Sequence, residues 1–417
     1  MRAITSPTFL FLFAGGFLSC FSSAQASEEL KSIVTEGDVF GQVRYRFEHT
    51  DQDGFSKDAS AHTVRTDLGF KTGNFYGFQG LVEGSVVRHI GDDDFNDTTN
   101  GNSQYPVIAD PDNEELNQLW LSYDNIPDTN VKFGRQIIKL DNQRFIGSVE
   151  WRQNNQTYDA VAINNQTIDD LSLTYSYVGN VNRINGDDHP KGDLDSNSHI
   201  VHGNYGYADW LGVSAYAYLL DVKKSPNLSS ATYGLRATGK QPISDAWTFS
   251  YEAEVAHQTD YADYTDGYGV EYIHLSPAIS GYGFTFKPGY ELLGSDGSNA
   301  FQTPFATGHA FNGWADQFLT TPSGGLQDLY FTVKYRVSDL HQWVDGTTIT
   351  GTYHKFDADK SGDFGSEFDL GLTKSFALDD VEFLKAVAVT VKYADYRAED
   401  APFADKQVFW TQFGVTF

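Results

Sequence analysis

Apolar and polar residues alternate with a period of two along most of this chain. In DVFGQVRYRFEHT, one face carries Val39, Gly41, Val43, Tyr45 and Phe47; the other carries Gln42, Arg44, Arg46 and Glu48. In AWTFSYEAEVAH, Trp247, Phe249, Tyr251, Ala253 and Val255 oppose Thr248, Ser250, Glu252 and Glu254. DLYFTVKYRVS sets Leu329, Phe331, Val333, Tyr335 and Val337 against Tyr330, Thr332, Lys334 and Arg336. About eighteen such segments recur, centred near residues 43, 67, 83, 119, 134, 160, 174, 202, 215, 235, 251, 271, 286, 333, 352, 369, 391 and 412. Each runs for about 9–12 residues, the length a tilted strand needs to cross a bilayer's hydrocarbon core. A globular strand is shorter, about 5–6 residues.

The connections decide the architecture. If the first strand leaves the periplasm, every second connection is short: KTGNFYG, DNIPDTN, NQTIDD, YAD and GKQPISDA. The alternate ones are longer and more acidic, among them His89 to Glu114, Gly179 to Asn197 and Gly294 to Gln327. Short turns on one side and long loops on the other mark an outer-membrane barrel. The last strand, QVFWTQFGVTF, alternates Phe409, Thr411, Phe413, Val415 and Phe417, the aromatic ending that the barrel assembly machinery recognises. A secreted two-sheet sandwich would bury one face of each strand, but needs neither such uniform lengths nor so many charges opposite. The expected fold is all-β: a transmembrane antiparallel β-barrel of about eighteen strands, with long extracellular loops and short periplasmic turns. In lipid an unpaired backbone group costs several kcal/mol, so the sheet must close, apolar faces outward. Tyr205, Tyr207 and Trp210 suit an interfacial girdle.

Composition adds the compartment. Arg2, the apolar stretch from Ile4 to Phe21 and Ala24-Gln25-Ala26 read as a signal peptide over residues 1–26, leaving 27–417 as the barrel. A membrane anchor fits less well, because Ser6, Pro7, Gly15, Gly16 and Ser19 interrupt the apolar run; a lipoprotein would use Cys20. Cleavage after Ala26 removes the only Cys, so the mature chain has no disulfide. The net charge of −27 argues against nucleic acid, and 31 Phe, 24 Tyr and 7 Trp argue against disorder. Localisation is therefore expected in the outer membrane of a Gram-negative cell.

Candidate chemistry gathers in FGRQIIKLDNQRFIGSVEWRQNNQTYDA, the third long connection. In general porins the third outer loop folds back and narrows the barrel. Arg135, Asp141, Arg144, Glu150 and Arg152 are thus candidates for a constriction, joined by strand-borne Arg44, Arg46, Arg65, Arg236, Lys334 and Arg336 facing the lumen. A guanidinium holds a fixed charge and binds carboxylates bidentately, which suits an anionic solute. The alternative is that these arginines pair with loop carboxylates or lipopolysaccharide phosphates.

Phe133-Gly134-Arg135-Gln136, followed by Asn142-Gln143-Arg144-Phe145 and Trp151-Arg152-Gln153-Asn154, resembles the alginate export family of outer-membrane proteins. That resemblance implies a monomeric eighteen-stranded channel with an arginine-rich lumen for an anionic uronate polymer. Alternation itself indicates a mixed lumen. Arg44, Arg46, Arg65, Lys71, Lys132, Arg236, Lys287, Lys334, Arg336 and Lys392 are nearly balanced by Glu48, Asp67, Glu83, Glu252, Glu254, Glu271, Glu291, Glu367 and Asp369. The expected partners are an anionic oligosaccharide, polysaccharide or similar small polar solute, outer-membrane lipid and lipopolysaccharide.

Three further expectations follow. No resident cofactor is required, although Asp357, Asp359, Ser361 and Asp363 around Gly362 resemble the start of a calcium loop. Its closing Glu is absent, Phe368 standing at the twelfth place, so a solvated hairpin tip is the competing reading. The acidic stretches GDDDFNDTTNGN, NGDDHPKGDLD and DADKSGD should face outside. An enzyme is not expected, since no nucleophile elbow, HExxH or phosphate loop is present. The alternatives to a selective channel are a general diffusion porin and a plugged structural or adhesion barrel, lidded by the aromatic region Gly294 to Gln327.

Overall fold

The computed structural model describes residues 31–265, 267–378, 381, 383–400 and 402–417. The expected leader over residues 1–26 lies outside them. The strands are β1 (Asp38–Gln52), β2 (Ala59–Lys71), β3 (Phe78–His89), β4 (Asn113–Ile126), β5 (Thr129–Gln136) and β6 (Thr157–Asn165). Then come β7 (Leu171–Asn182), β8 (Asp193–Ala208), β9 (Leu211–Leu220), β10 (Ser230–Pro242), β11 (Thr248–Thr259) and β12 (Gly269–Gly281). The circuit ends with β13 (Phe284–Leu293), β14 (Leu326–Arg336), β15 (Thr348–Asp357), β16 (Asp363–Ala377), β17 (Ala386–Arg397) and β18 (Lys406–Thr416). Each strand pairs antiparallel with its sequence neighbours, and β1 pairs with β18 to close the ring. All eighteen expected centres fall inside the corresponding strands. The terminal Phe417 finishes the seam, its N–H donating to Gly41 O and its carbonyl accepting from Gly41 N, both at 3.0 Å.

Length is less uniform than alternation suggests, from 8 residues in β5 to 16 in β8. The bilayer sets a minimum span; long strands continue beyond it as hairpins. β5 is short because the chain leaves the wall after Gln136 and turns inward. Connections at one end are brief (127–128, 209–210, 282–283), whereas those at the other include 90–112, 137–156 and 294–325. The 337–347 connection is the exception on the short side.

Burial is inverted relative to a water-soluble protein. Arg46 and Glu48 are 0% and 2% exposed, while Val39, Leu68, Phe133 and Leu329 are 59–61% exposed. The apolar face meets lipid, and the polar face meets either the lumen or the loops within it.

One backbone position is tightly specified. Gly134 has φ +121° inside β5, and a β-carbon there would stand 2.2 Å from Leu119 O. Gly134→Ala is expected to cost about 1–3 kcal/mol through backbone strain alone. The check is a lower urea midpoint for the variant, refolded in detergent micelles.

Candidate functional site

The β5–β6 loop (residues 137–156) crosses the lumen. Near its start, Asp141 accepts from Ser214 Oγ on β9 and meets His202 Nε2 on β8, both at 2.8 Å. Asn142 Nδ2 donates to Glu252 on β11 at 2.6 Å, and Arg144 Nε to Glu291 on β13 at 2.7 Å. At the loop's far side, Arg152 Nη1 lies 3.1 Å from Glu48 on β1, and Arg65 Nη1 on β2 donates to Asn155 at 2.6 Å. The loop therefore spans the barrel before returning to β6. Asp141, Gln143 and Val149 adopt positive φ of 48°, 65° and 52° to make this path.

The β13–β14 loop (residues 294–325) enters beside it. Gly147 N donates to Phe305 O at 2.9 Å and Thr307 N to Gln143 O at 3.0 Å, so the two loops travel together. Phe301, Phe305 and Phe318 are buried among inward-facing tyrosines and phenylalanines of the wall. Phe145 touches Tyr216, Tyr218, Tyr272 and Phe301, with ring centroids 5.2–6.1 Å apart. Phe318 likewise meets Phe356, Phe364, Tyr396 and Phe403. The loops are thus held by an apolar layer as well as by charge.

The candidate arginines form one large cluster and two outlying groups. Arg44, Arg46, Arg65 and Arg152 meet Glu48, Asp67, Asp110 and Asp316. Arg44 donates to Gln153 at 2.9 Å and to the carbonyls of Glu150 and Arg152. Arg46 reaches Asp110 and the Trp151 carbonyl, Arg65 pairs with Asp67 at 2.7 Å, and Arg152 Nη2 meets Asp316 at 2.9 Å. Burial lowers the basicity of Arg152, but Glu48, Asp110 and Asp316 outweigh it and hold the guanidinium more basic than usual. Asp141 stands apart with Arg236 at 3.7 Å, and Arg236 also pairs with Glu252 at 3.0 Å. Arg144 serves the β13 side alone.

The remaining candidates lie elsewhere. Arg135 pairs with Asp159 across β5–β6 at 2.8 Å and does not join the cluster. The Glu150 side chain faces solvent with Lys139 at 2.6 Å, only its carbonyl pointing to Arg44. Lys334 and Arg336 sit exposed at the other end of the barrel, in the final residues of β14. Asp363 pairs with Lys355, and Asp359 accepts from Ser295 N at 3.0 Å and pairs with Lys360 at the same distance. The two carboxylates thus serve different partners. Among the described residues, Glu252, Glu254 and His274 bring three ligand atoms within 4.8 Å of one another, beside Arg236.

The outer loops did not all keep their acids outside. Asp92, Asp93 and Asp94 are exposed, but Asp97 is buried and accepts from Thr99 N and Asn100 N, at 2.6 and 2.7 Å. Asp110 is 0% exposed and accepts from Gln153 N at 2.7 Å. Buried arginines require these counter-charges, and the nearest source is a flanking loop.

Lys392, which alternation places on the lumen face, is the centre of an aromatic cage that periodicity does not reveal. Lys392 Nζ on β17 lies 4.2, 3.6 and 5.7 Å from the ring centroids of Trp151, Trp314 and Trp410. It is also 2.6 Å from His309 Nε2, whose Nδ1 lies 2.9 Å from Asp316 Oδ1. Trp151 stacks flat on His309 at 4.2 Å. This cage ties both inward loops to the wall through cation–π contact. The available signal was the place of Lys392 on the polar face of β17; its aromatic partners, on two loops and on β18, have no mark in the sequence.

The profile of a family described as Alginate export matches residues 35–302. A search among curated proteins gave no match. Several solved structures share the fold. Pseudomonas aeruginosa OpdQ is 16% identical over 92% of this chain and 99% of its own, with a TM-score of 0.68. Acinetobacter baumannii OccAB2 is 14% identical over 93% and 99%, with a TM-score of 0.71. Pseudomonas aeruginosa OpdK, solved with vanillate, is 11% identical over 91% and 99%, with a TM-score of 0.68.

Proposed function

The chain belongs to the alginate export family of outer-membrane β-barrels, and from that membership we propose that it is a channel passing anionic sugars or similar small carboxylates. The observation carrying the anionic preference is an asymmetry of charge along the barrel. On the loop side, Arg46, Arg65, Arg144, Arg152 and Arg236 are each paired with a carboxylate. Toward the short-turn side, inward-facing Lys71, Lys132, Lys287, Lys334 and Arg336 have no carboxylate within 4.0 Å among the described residues. Lys132 rests instead on the Trp120 ring at 4.6 Å. A cation ring with low-dielectric walls concentrates anions at its mouth. Vanillate bound to the fold relative OpdK is itself a small carboxylate.

Transport in this reading is diffusion down a gradient, with no resident cofactor and no catalytic step. The histidines facing the lumen are occupied by carboxylate neighbours, as in His202–Asp141, His309–Asp316 and His354–Asp328. The proposal includes a monomer, removal of residues 1–26, and insertion by the barrel assembly machinery, with lipid and lipopolysaccharide around it. Calcium at the β15–β16 hairpin would have to draw Asp359 and Asp363 away from their lysines.

Planar-bilayer recording in a salt gradient tests the reading. The expected reversal potential is that of an anion-selective pore, and replacing Lys132, Lys287, Lys334 and Arg336 together with Ala should reduce anion preference several-fold. Cation selectivity in the unaltered protein would end the anionic assignment. A resting-closed barrel is the second reading, favoured by the burial of Phe301, Phe305 and Phe318 in the lumen. A silent trace at neutral pH that opens on acidification would support it.

A further inference from the structure

The connection between β14 and β15, residues 337–347, is the longest on the short-turn side, where 127–128, 209–210 and 282–283 suffice elsewhere. It is folded rather than slack. Val337 N donates to Thr347 O at 2.9 Å and Gly346 N to Val337 O at 2.7 Å, which carries the ladder past Arg336. Beyond this neck the chain makes one helical turn. Val344 N and Asp345 N both donate to His341 O at 2.9 Å, and Asp345 Oδ1 accepts from Leu340 N and His341 N at 2.9 and 3.2 Å. Leu340, Trp343 and Val344 are spaced as on one face of a helical turn. They are 72%, 64% and 42% exposed.

The turn lies against the outside of the barrel. Along β16 the exterior face runs through Phe368, Leu370, Leu372, Lys374 and Phe376, the first three 40–47% exposed to lipid. Lys374 interrupts that apolar stripe near its short-turn end, yet is only 9% exposed. The 337–347 turn covers it. Lys374 Nζ donates to Asp345 O, and Trp343 packs on Phe376 with ring centroids 6.1 Å apart. Lys374 Nζ also lies 4.8 Å from the Phe376 ring centroid. The same rim carries the aromatic pairs Trp247–Tyr282 at 5.7 Å and Phe284–Tyr335 at 4.5 Å. On the next short-side connection, Val381 and Phe383 are 44% and 77% exposed.

We propose that the 337–347 turn is an interfacial foot, seating the β14–β17 sector in the phospholipid headgroup layer of the periplasmic leaflet. The proposal depends on the barrel's place in the outer membrane and not on the solute it passes. Leu340 and Val344 enter the acyl boundary, as the apolar face of an interfacial helix does. Trp343 supplies the ring that prefers the headgroup level, apolar on its faces and polar at its N–H. Lys374 lays its stem along the wall while the Asp345 carbonyl holds its ammonium at the polar end. A soluble periplasmic protein or a second copy of the chain could also cover an apolar face. Lipid is favoured because the face continues the lipid-facing wall and is held onto it by Lys374 and Phe376.

The test uses the full barrel refolded into phosphatidylethanolamine–phosphatidylglycerol vesicles. Trp343 fluorescence is taken as the difference between the parent and Trp343→Phe. Part of the lipid carries bromine, either near the headgroup or near the chain end. Shallow bromine is expected to remove about half or more of the Trp343 signal, deep bromine less, and aqueous acrylamide little. Leu340→Asp combined with Val344→Asp should lift the face from the lipid, so that bromine quenching falls and acrylamide quenching rises. Heat-modifiable gel mobility reads closure of that variant's barrel independently. A Trp343 open to acrylamide and untouched by either bromolipid would overturn the foot and leave the face to a soluble protein. Shielding from acrylamide without bromine quenching, lost when the barrel is diluted in lipid, would assign the face to a second copy and overturn it equally. Deeper bromine quenching more strongly would also overturn it, making the turn part of the hydrocarbon-facing wall. Ion selectivity is a separate readout: a cation-selective pore would end the anionic reading and leave the depth of Trp343 unchanged.

Discussion

Replacing Arg152 with Gln is expected to loosen both inward loops and give a larger, noisier and less anion-selective conductance. One guanidinium joins three parts of the molecule: Glu48 on β1 at 3.1 Å, Asp110 of the 90–112 loop at 3.7 Å and Asp316 of the 294–325 loop at 2.9 Å. Deleting its charge leaves three buried carboxylates, and among the described residues Arg46 is the remaining arginine within ion-pair reach of Asp110, while Asp316 keeps His309. Breaking a buried pair from one side costs about 3–5 kcal/mol, enough to displace a loop but far less than eighteen strand ladders provide. The wall should therefore survive. Single-channel recordings of R152Q and R152K make the comparison, with Lys preserving charge but not the fork. Unchanged conductance and selectivity in R152Q would remove this residue from the constriction.

Acidification should produce the second large effect. Burial and the Lys392 ammonium push the His309 pKa down to about 3, with Asp316 pulling the other way and Arg152 reinforcing the fall. In the docked loop His309 is then neutral, accepting from Lys392 at Nε2 and donating to Asp316 at Nδ1. In a released, hydrated loop it would titrate near 6.5. The released state thus binds more protons between those values, and docking is complete above pH 6.5. It weakens by about 1.4 kcal/mol per unit as pH falls toward 3. The groups facing His309 are Lys392, Asp316 and Arg152, with the Trp151 and Trp410 rings around them. Open probability should rise between pH 6.5 and 4 in bilayer recordings. In His309→Phe, which keeps a ring against Trp151, this rise should flatten; a His309→Phe curve identical to that of the parent would exclude the histidine as the sensor.

The two effects share a location that was only half visible in the chain. Arg144 and Arg152 could be assigned to an inward loop because a polar arginine-bearing stretch interrupts two strands at the third outer position. Their partners could not. Asp110 and Asp316 lie in other loops, 42 and 164 residues from Arg152, where no periodicity says which acid turns in. Arg135, three residues into the same motif as Gly134, looked equivalent to them. It instead remains on the wall with Asp159, because the chain has not yet left β5 at that point.

Strand number, closure, and the sorting of apolar from charged faces follow from the sequence alone. They are dictated locally: a side-chain period of two and a hydrocarbon slab that tolerates no unpaired backbone leave one architecture. What only the tertiary structure decided is the interior. Once the wall closes, the 137–156 and 294–325 loops meet inward-facing residues of distant strands; Arg46, Arg65, Arg144 and Arg152 take whichever carboxylate the geometry brings within reach, and Arg44 takes uncharged carbonyl oxygens instead. Loop docking is a contest among many nearly equivalent charges and rings, settled by packing inside a cylinder that the strands alone define.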